Sequence, residues 1–461
     1  MPIASGLGRR DFLRLAGGAA LAAAGFSCGG SGDDEPKAAP RTKGSGPGGG
    51  ERTLRIAQST HFVPSYEQWF DNEYARRWGE DHDVKIVVEH FPYESVGSRA
   101  SAEVAAQGPH DIFGFVDTPP AFEDEVIDHR ELIEEVEAKL GQMTPLLERS
   151  TLSAKTRKYF GFPEYWSANL ANYRADLWDQ VEAGLRPSSW DDVLRAAPKL
   201  KAMGHPVGIG MSNEGDSFYA LASLMHAYGS SIQDGEANVA INRPATVEAV
   251  KMGAAIFQGG MTDEVLIWDP SSNNRFLASG KGSMILNAVS ALRAAESQDP
   301  ALARQILLAP TPTAHSGLER PRGVYVTAVN VIWRFSKNQE VAKQFLVDLA
   351  LDYREAFIRS RFYNFPAFPG VVPDLGELVA RDPGADPSGK YAFLGDVVTS
   401  STNIGHPGHA NAAVEEVMNQ FIIQKMFAAA GRGDMSAEEA VKAAEAQIKP
   451  IFEKWREQGK I

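Results

Sequence analysis

The sequence predicts an α/β fold built from more than one lobe, and three observations support this prediction. Strand-like and helical patterns alternate between residues 53 and 116, which is typical of a sheet flanked by helices. About 410 of the 461 residues follow the amino-terminal leader and linker described below, too many for one compact core. The hydrophobic and charged fractions, 43% and 23%, are those of an ordinary globular protein.

The first elements predict a parallel sheet with helices on both faces. In chain order we predict a strand at 54–57, a helix at 66–78, a strand at 84–88, a helix at 96–107 and a strand at 111–116. Ligands of such sheets bind beyond the carboxyl ends of the strands. The loops that begin at Ser59 and Asp117 are therefore the first places where we expect a site.

Composition excludes several function classes. The net charge is −13 at pH 7, which argues against a nucleic-acid-binding protein, because such proteins carry a basic face. Cys28 is the single cysteine, so the chain forms no internal disulfide and has no cysteine-based zinc site. No apolar run after residue 27 is long enough to cross a membrane.

The amino terminus predicts export. Arg9 and Arg10 begin the segment Arg-Arg-Asp-Phe-Leu-Arg-Leu at 9–15, and an apolar stretch of small residues follows at 16–26, the pattern of a twin-arginine signal. We assign residues 1–27 to this signal peptide. We therefore expect the protein in the periplasm or on the outer face of the cytoplasmic membrane.

Cys28 predicts a lipid anchor. A lone cysteine behind such a stretch resembles the acylated cysteine of bacterial lipoproteins. Residues 28–52 are rich in Gly, Pro, Ser and charge and predict a flexible tether. The alternative is cleavage after the alanines at 22–24, which would leave a soluble protein with a free thiol.

Several later segments carry a family resemblance through their order and spacing. They are Lys-Tyr-Phe-Gly-Phe-Pro at 158–163, Asn-Tyr-Arg-Ala-Asp-Leu-Trp at 172–178, Pro-Ser-Ser-Trp-Asp-Asp-Val at 187–193, Phe-x-x-x-Gly-Lys-x-x-Met at 276–284, and the helix starts at 336–346 and 435–440. Together they resemble the extracellular solute-binding proteins of ABC importers, in the sugar-binding family that includes maltose-binding protein. The resemblance covers almost all of residues 53–461.

The resemblance implies a type II periplasmic-binding-protein fold. Each of its two lobes is a sheet flanked by helices, and the ligand cleft lies between them. We expect lobe 1 at 53–163 and 312–366, and lobe 2 at 164–311 and 367–461. The crossovers are then expected near 161–163, 309–312 and 365–367.

Motifs for catalysis are absent from the sequence. It contains no His-Glu-x-x-His, no P-loop and no Gly-x-Ser-x-Gly. His406 and His409 flank a Pro-Gly pair and predict a loop rather than a metal site. Asp117 and Glu214 are candidates for the paired carboxylates of a glycosidase, but the resemblance favours carboxylates that bind sugar hydroxyls. We therefore expect no catalytic residue, no metal and no cofactor.

Saccharide sites combine aromatic platforms with carboxylates and amides. By position in the resembling family, the expected ligand-binding residues are His61, Phe62, Asp117, Thr118, Tyr165, Trp166, Asn213, Glu214, Phe218, Tyr219, Asn287, His406 and His409. For Tyr165 and Trp166, and for Phe218 and Tyr219, packing in the core is the alternative. Tyr325 is expected in the core, and Trp268 as a loop anchor.

The resemblance implies a function as well as a fold. It implies a monomer that binds a neutral sugar, oligosaccharide or polyol by closing two lobes. The closed form would deliver the ligand to the transmembrane subunits of an ABC permease, with the membrane reached through the lipid anchor and no nucleic acid involved. Two other classes stay open: a secreted lipoprotein enzyme acting on glycans, and a ligand sensor for a receptor.

Overall fold

The structure is a computed structural model that describes residues 52–315 and 323–461. The predicted signal peptide, Cys28 and the predicted tether as far as residue 51 lie outside the described residues.

The strands of the described chain form two larger sheets and one short pair. They are β1 Thr53–Ser59, β2 Lys85–Phe91, β3 Ile112–Phe115, β4 Phe162–Trp166, β5 Leu170–Arg174, β6 Val207–Gly208, β7 Met284–Asn287, β8 Ile306–Pro310, β9 Gly323–Val324, β10 Thr327–Ile332, β11 Phe365–Pro366 and β12 Ser401–Thr402.

Helices surround these sheets. They are α1 Pro64–Trp69, α2 Arg76–His82, α3 Val96–Ala106, α4 Arg130–Leu140, α5 Pro145–Thr151, α6 Ala175–Val181, α7 Trp190–Ala202, α8 Gly215–Ala227, α9 Pro244–Gly260, α10 Ser272–Ala278, α11 Ser290–Gln298, α12 Pro300–Gln305, α13 Gln339–Leu351, α14 Tyr353–Arg359, α15 Leu375–Ala380, α16 Ala412–Asn419, α17 Ile422–Arg432 and α18 Ala437–Glu457. A π-helical segment, Phe70–Ala75, joins α1 to α2.

The predicted alternation of strands and helices at the start of the fold is confirmed, but the sheet is mixed rather than parallel. Its order is β11-β4-β10-β3-β1-β2, with β1 parallel to β2 and β3. Strand β10 runs antiparallel to both β3 and β4. The two strands that precede β10 in the chain, β8 and β9, belong to other sheets, so β10 is not part of a βαβ unit and the geometry that makes such units parallel does not apply to it.

The second sheet has the order β6-β7-β5-β8. Strand β5 is antiparallel to β7 and β8, and only the short strand β6 is parallel to its neighbour. The chain passes from the six-stranded to the four-stranded sheet between β4 and β5, and returns between β8 and β10. The residue limits proposed above for the two lobes stay a prediction.

Local sequence explains where two of the longer helices begin. The Ser189 hydroxyl accepts a hydrogen bond from the backbone of Asp192, whose carboxylate accepts one from the Ser189 backbone, and this reciprocal cap starts α7. Ser436 and Glu439 form the same cap at the start of α18. In the described ranges, no helix is long and apolar enough to cross a membrane.

Candidate functional site

A cavity of about 440 Å³ lies between the strand ends of the six-stranded sheet and the start of helix α8. We call it the cleft cavity. Tyr93, after β2, and Asp117, after β3, line it from one side, and Glu214 and Trp268 line it from the other. This is the position that the strand-end rule predicts for a ligand.

Asp117 is held by tyrosines from two different elements. The Tyr93 hydroxyl donates to Asp117 Oδ2 at 3.3 Å, and the Tyr219 hydroxyl of α8 donates to Asp117 Oδ1. Loss of hydration raises the pKa of Asp117 to about 7, opposed by the bond from Tyr93 and reinforced by the charge of Asp216. The carboxylate is thus positioned by neutral donors and retains acceptor capacity for a ligand.

The first turn of α8 supplies two further carboxylates. Glu214 caps the helix, accepting the backbone N–H groups of Asp216 at 2.6 Å and Ser217 at 2.5 Å. Asp216 accepts hydrogen bonds from Asn273 Nδ2 at 2.6 Å and from the Tyr325 hydroxyl at 2.9 Å. Burial raises the pKa of both carboxyls, and the charge of Asp216 raises that of Glu214 further.

A fourth carboxylate, Glu415, reaches the cleft cavity from α16. It accepts the backbone N–H of Ala121 at 2.9 Å. Burial raises the pKa of Glu415 to about 8, which the bond from Ala121 opposes and the charge of Asp117 reinforces. Glu415 and Asp117 therefore face the same space.

Aromatic rings form a band beside these carboxylates. Phe62 lies 6.0 Å from Tyr93 and 6.3 Å from Tyr363, measured between ring centroids. Tyr219 and Tyr325 lie 4.8 Å apart. Phe62 is 36% exposed, so its face is available to a bound molecule. Such rings offer flat apolar surfaces next to polar acceptors.

A smaller cavity of about 30 Å³ adjoins the cleft cavity and shares Phe115 and Val116 with it. His61 lines it and accepts the Val63 N–H at Nδ1, 3.0 Å away. The opposite nitrogen, Nε2, therefore donates to Asn364 Oδ1 at 2.9 Å. Burial lowers the pKa of His61 to about 4, so the ring is neutral near pH 7.

The structure brings seven of the predicted ligand-binding residues to these two cavities. Those that line the cleft cavity are Asp117, Thr118, Asn213 and Glu214, and those that line the smaller cavity are His61, Phe62 and Tyr165. Tyr219 reaches the site through its bond to Asp117. Their roles in binding stay predictions.

The other predicted residues line neither of these cavities. Trp166 is 3% exposed and stacks on Phe365 at 4.7 Å, and Phe218 is fully buried. Asn287 donates to Asn274 Oδ1 at 2.7 Å and accepts from Tyr325 at 2.7 Å. The other two predicted histidines lie elsewhere. His406 packs beside His226, and His409 lines another cavity, of about 260 Å³, together with Lys155.

Sequence reasoning did not select five residues of this region as ligand contacts: Tyr93, Asp216, Tyr325, Tyr363 and Glu415. Tyr93 follows a predicted strand, so the rule that selected Asp117 would also have selected it. Tyr325 is buried, as expected, but its hydroxyl bonds Asp216 and Asn287. Trp268, expected as a loop anchor, also lines the cleft cavity.

Comparison with protein families gives one match. A model described as "Bacterial extracellular solute-binding protein" matches residues 59–350.

Curated relatives are similar over part of their length. Proteins named as putative binding proteins in Brucella abortus (strain 2308) and Brucella suis biovar 1 (strain 1330) are each 27% identical to this chain over 221 residues. The match covers 46% of this chain and 51% of each relative. The chain thus spans about half the length of the curated relatives it matches.

Solved structures are similar over nearly the whole described chain. Maltose-bound MalE3 of T. maritima has a TM-score of 0.71 at 18% identity, over 86% of this chain and 99% of that one. A sugar transporter from Arthrobacter chlorophenolicus A6 with bound laminaribiose has a TM-score of 0.71 at 15% identity, over 86% and 99%. A solute-binding protein from Agrobacterium radiobacter K84 in complex with ribitol has 0.68 at 17% identity, over 87% and 99%. These likenesses confirm the predicted two-lobed type II fold.

Proposed function

We propose that this chain, which belongs to the bacterial extracellular solute-binding proteins, binds a saccharide or a polyol in the cleft cavity and delivers it to an ABC permease. The observation that carries the proposal is the cavity itself. Carboxylates from both sides of the cleft meet aromatic side chains there, among them Tyr93 and Trp268. Sugar hydroxyls donate hydrogen bonds to carboxylates, while the C–H faces of the sugar ring pack on aromatic rings.

The similar structures support a hydroxyl-rich ligand. Their bound molecules include α-D-tagatose, maltose, laminaribiose, ribitol and D-mannitol. Sugars and linear polyols share a dense row of hydroxyl groups. The site of this chain presents a comparable row of acceptors in Asp117, Glu214 and Glu415.

We infer that binding works by closure of the two lobes. Asp117 follows a strand of the six-stranded sheet, whereas Glu214 begins a helix that packs against β7 of the other sheet. A ligand between them contacts both only when the lobes are closed, so it stabilises the closed form. The closed form is then the one that docks on the permease.

We also propose that the chain reaches its place of work through the twin-arginine route and that Cys28 anchors it in the membrane. The Arg9-Arg10 pair and the lone cysteine support this proposal. A single polypeptide supplies both sides of the cleft, which fits a monomer.

A thermal-shift screen tests the ligand class. Purified protein is heated with monosaccharides, disaccharides, oligosaccharides, linear polyols and, as a contrasting class, amino acids. A ligand held at about 100 times its Kd stabilises the folded state by about 2.7 kcal/mol, which is a clear rise in Tm. Stabilisation by amino acids and by no hydroxyl-rich compound would contradict the proposal.

Two experiments separate the remaining alternatives. Prolonged incubation of the best ligand, followed by chromatography, should return it unchanged, whereas a glycan-active enzyme would release products. Loss of uptake of that ligand when the gene is deleted distinguishes transport from sensing, because a sensor changes a response without being needed for uptake.

A further inference from the structure

The charged side chains that line the cleft cavity in the described part of the chain are all acidic. Its lining includes the five acidic side chains Glu94, Asp117, Glu214, Asp269 and Glu415. Within residues 52–315 and 323–461, no Lys, Arg or His lines it. Asp269 is exposed and pairs with Arg275 at 2.8 Å. In the described chain, the neighbouring charges that shift the pKa values of Asp117, Glu214 and Glu415 are those of other carboxylates.

Protein interiors seldom leave such charges uncompensated. A buried carboxylate is normally paired with a cation or loses its charge, because desolvation is costly. Glu214 has a structural reason to be here, since it caps α8. Glu415 accepts only one backbone N–H, that of Ala121 in the short 3-10 helix Pro120–Glu125, and Asp117 caps no helix. The hydrogen bonds of both carboxylates come from neutral groups only. Their presence therefore points to a ligand that supplies the missing positive charge.

Beside the smaller cavity, a buried hydroxyl also lacks a hydrogen-bond partner in the described chain: it belongs to Tyr363, whose ring lies 6.2 Å from that of Tyr165. The side chain of Tyr363 is 1% exposed, and its hydroxyl makes no hydrogen bond to the described residues. The Ser167 hydroxyl lies near it but donates to the Tyr363 backbone carbonyl at 2.8 Å. Burial raises the pKa of this hydroxyl, and the charges of Asp216 and Asp117, from opposite sides of the cleft, raise it further. A buried hydroxyl without a hydrogen-bond partner is costly, so the Tyr363 hydroxyl also indicates a bound molecule.

We propose that the solute of this cleft is a saccharide that carries a positively charged nitrogen, an amino sugar or an oligosaccharide of amino sugars. Asp117 and Glu415 accept hydrogen bonds from its ammonium group. Tyr93 and Trp268 line the same cavity and favour a cation further, because the faces of aromatic rings attract positive charge. This inference rests on the proposed function and narrows its ligand class.

Matched pairs of ligands test the inference on the unmodified protein. Calorimetry compares glucosamine with glucose, galactosamine with galactose, and the glucosamine disaccharide with cellobiose, at about pH 7. We expect the amine-bearing member of a pair to bind at least about tenfold more tightly, the scale of one charge-assisted hydrogen bond. N-acetylation should remove the advantage, and raising salt from about 50 mM to about 500 mM should reduce it.

Variants locate the effect. Asp117→Asn and Glu415→Gln should each reduce the preference for the amine. Asp179→Asn removes an exposed carboxylate that pairs with Arg186 and does not line the cleft cavity, so it should leave the preference for the amine unchanged. Melting curves of the ligand-free variants check that each one is folded.

The outcomes separate this inference from the proposed function. If the neutral member of every pair binds as tightly as the amine, the inference is wrong and the proposed function stands. If no saccharide or polyol binds, with or without an amine, both fail. A simple diamine that binds more tightly than any amino sugar would also overturn both, because the charge would then be recognised without a sugar.

Discussion

The Tyr219 hydroxyl donates a hydrogen bond to the Asp117 carboxylate, and this bond joins the two sides of the cleft. Tyr219 lies on α8, which packs against β7 of the four-stranded sheet, and Asp117 follows β3 of the six-stranded sheet. Nearby, Gly215 contacts Tyr93 so closely that an added Cβ would lie 2.4 Å from the Tyr93 hydroxyl oxygen. Both contacts cross the cleft, so the separation of the lobes that we infer would break them.

Tyr219→Phe should shift the ligand-free protein toward the open form. The variant loses one hydrogen bond across the cleft, worth about 0.5–1.5 kcal/mol, while the ring and its packing are kept. We expect a larger radius of gyration by X-ray scattering without ligand and a return toward the unmodified value with saturating ligand. Tyr228→Phe, at the far end of the same helix, is the control. An unchanged radius in the Tyr219 variant would contradict a role for this bond in closure.

Gly215→Ala should obstruct closure without harming the helix. Alanine is favourable in a helix, but its Cβ would collide with the Tyr93 hydroxyl. We expect weaker ligand binding by calorimetry at an unchanged or higher Tm. Gly376→Ala, in the first turn of α15 where an added Cβ meets nothing within 4 Å, is the matched control.

The double variant Gly215→Ala with Tyr93→Phe tests the cause directly. Removing the hydroxyl opens space for the new methyl group, so affinity should recover in part compared with Gly215→Ala alone. If the double variant binds no better than the more weakly binding single variant, the collision does not explain the loss.

Neighbouring residues show how much of the site the sequence could predict. Asp117 was found because β3 is readable from its apolar run and ligands bind beyond strand ends. Phe218 and Tyr219 are adjacent on one helix and both are buried, yet only the Tyr219 hydroxyl reaches Asp117. Tyr165 and Trp166 alternate on β4, so one lines the smaller cavity and the other stacks on Phe365. The sequence places such pairs at the site but does not say which member faces the ligand.

The missed contacts depend on distant segments. The hydroxyl of Tyr325 bonds Asp216, which lies 109 residues earlier in the chain. The ring of Tyr363 lies beside that of Phe62, about 300 residues from it in the chain. No local pattern carries such a pairing, because it follows from how the two sheets are connected. The order of the family motifs predicted that connection, but not the side chains that meet across it.

The contribution of Asp117 to the stability of the ligand-free protein should decrease as the pH rises. An unfolded Asp has a pKa near 4, whereas burial raises the pKa of Asp117 to about 7 in the folded protein. Between these values the folded state binds more protons than the unfolded state, so the free energy of unfolding falls as the pH increases. Asp117→Asn should flatten this fall in Tm curves measured from about pH 5 to about pH 8. Asp179→Asn should keep the slope of the unmodified protein.

Export and anchoring are tested in the native host. Replacing Arg9 and Arg10 by Lys should leave a cytoplasmic precursor, because the export pathway reads the guanidinium pair rather than charge alone. Mass spectrometry of the exported protein should find Cys28 acylated at the mature amino terminus. A mature chain that retains residues before Cys28, with a free thiol there, would contradict the lipid anchor.

Binding of an amine-bearing saccharide should release protons. Burial raises the pKa of Asp117 to about 7 and that of Glu415 to about 8, so near pH 7 the empty cleft holds protons on both carboxyls for part of the time. An ammonium group beside them favours the charged carboxylates and lowers both pKa values.

Calorimetry in two buffers of different ionisation enthalpy counts the protons released at about pH 7. We expect a net release for the amine-bearing ligand and almost none for its neutral partner. Between about pH 6 and about pH 7, affinity for the amine should rise with pH, because more of the carboxyls are already charged before binding. Asp117→Asn should reduce the release, since one of the two titrating groups is then missing. Equal release for both ligands would show that closure of the cleft, and not the ligand's charge, shifts these carboxyls.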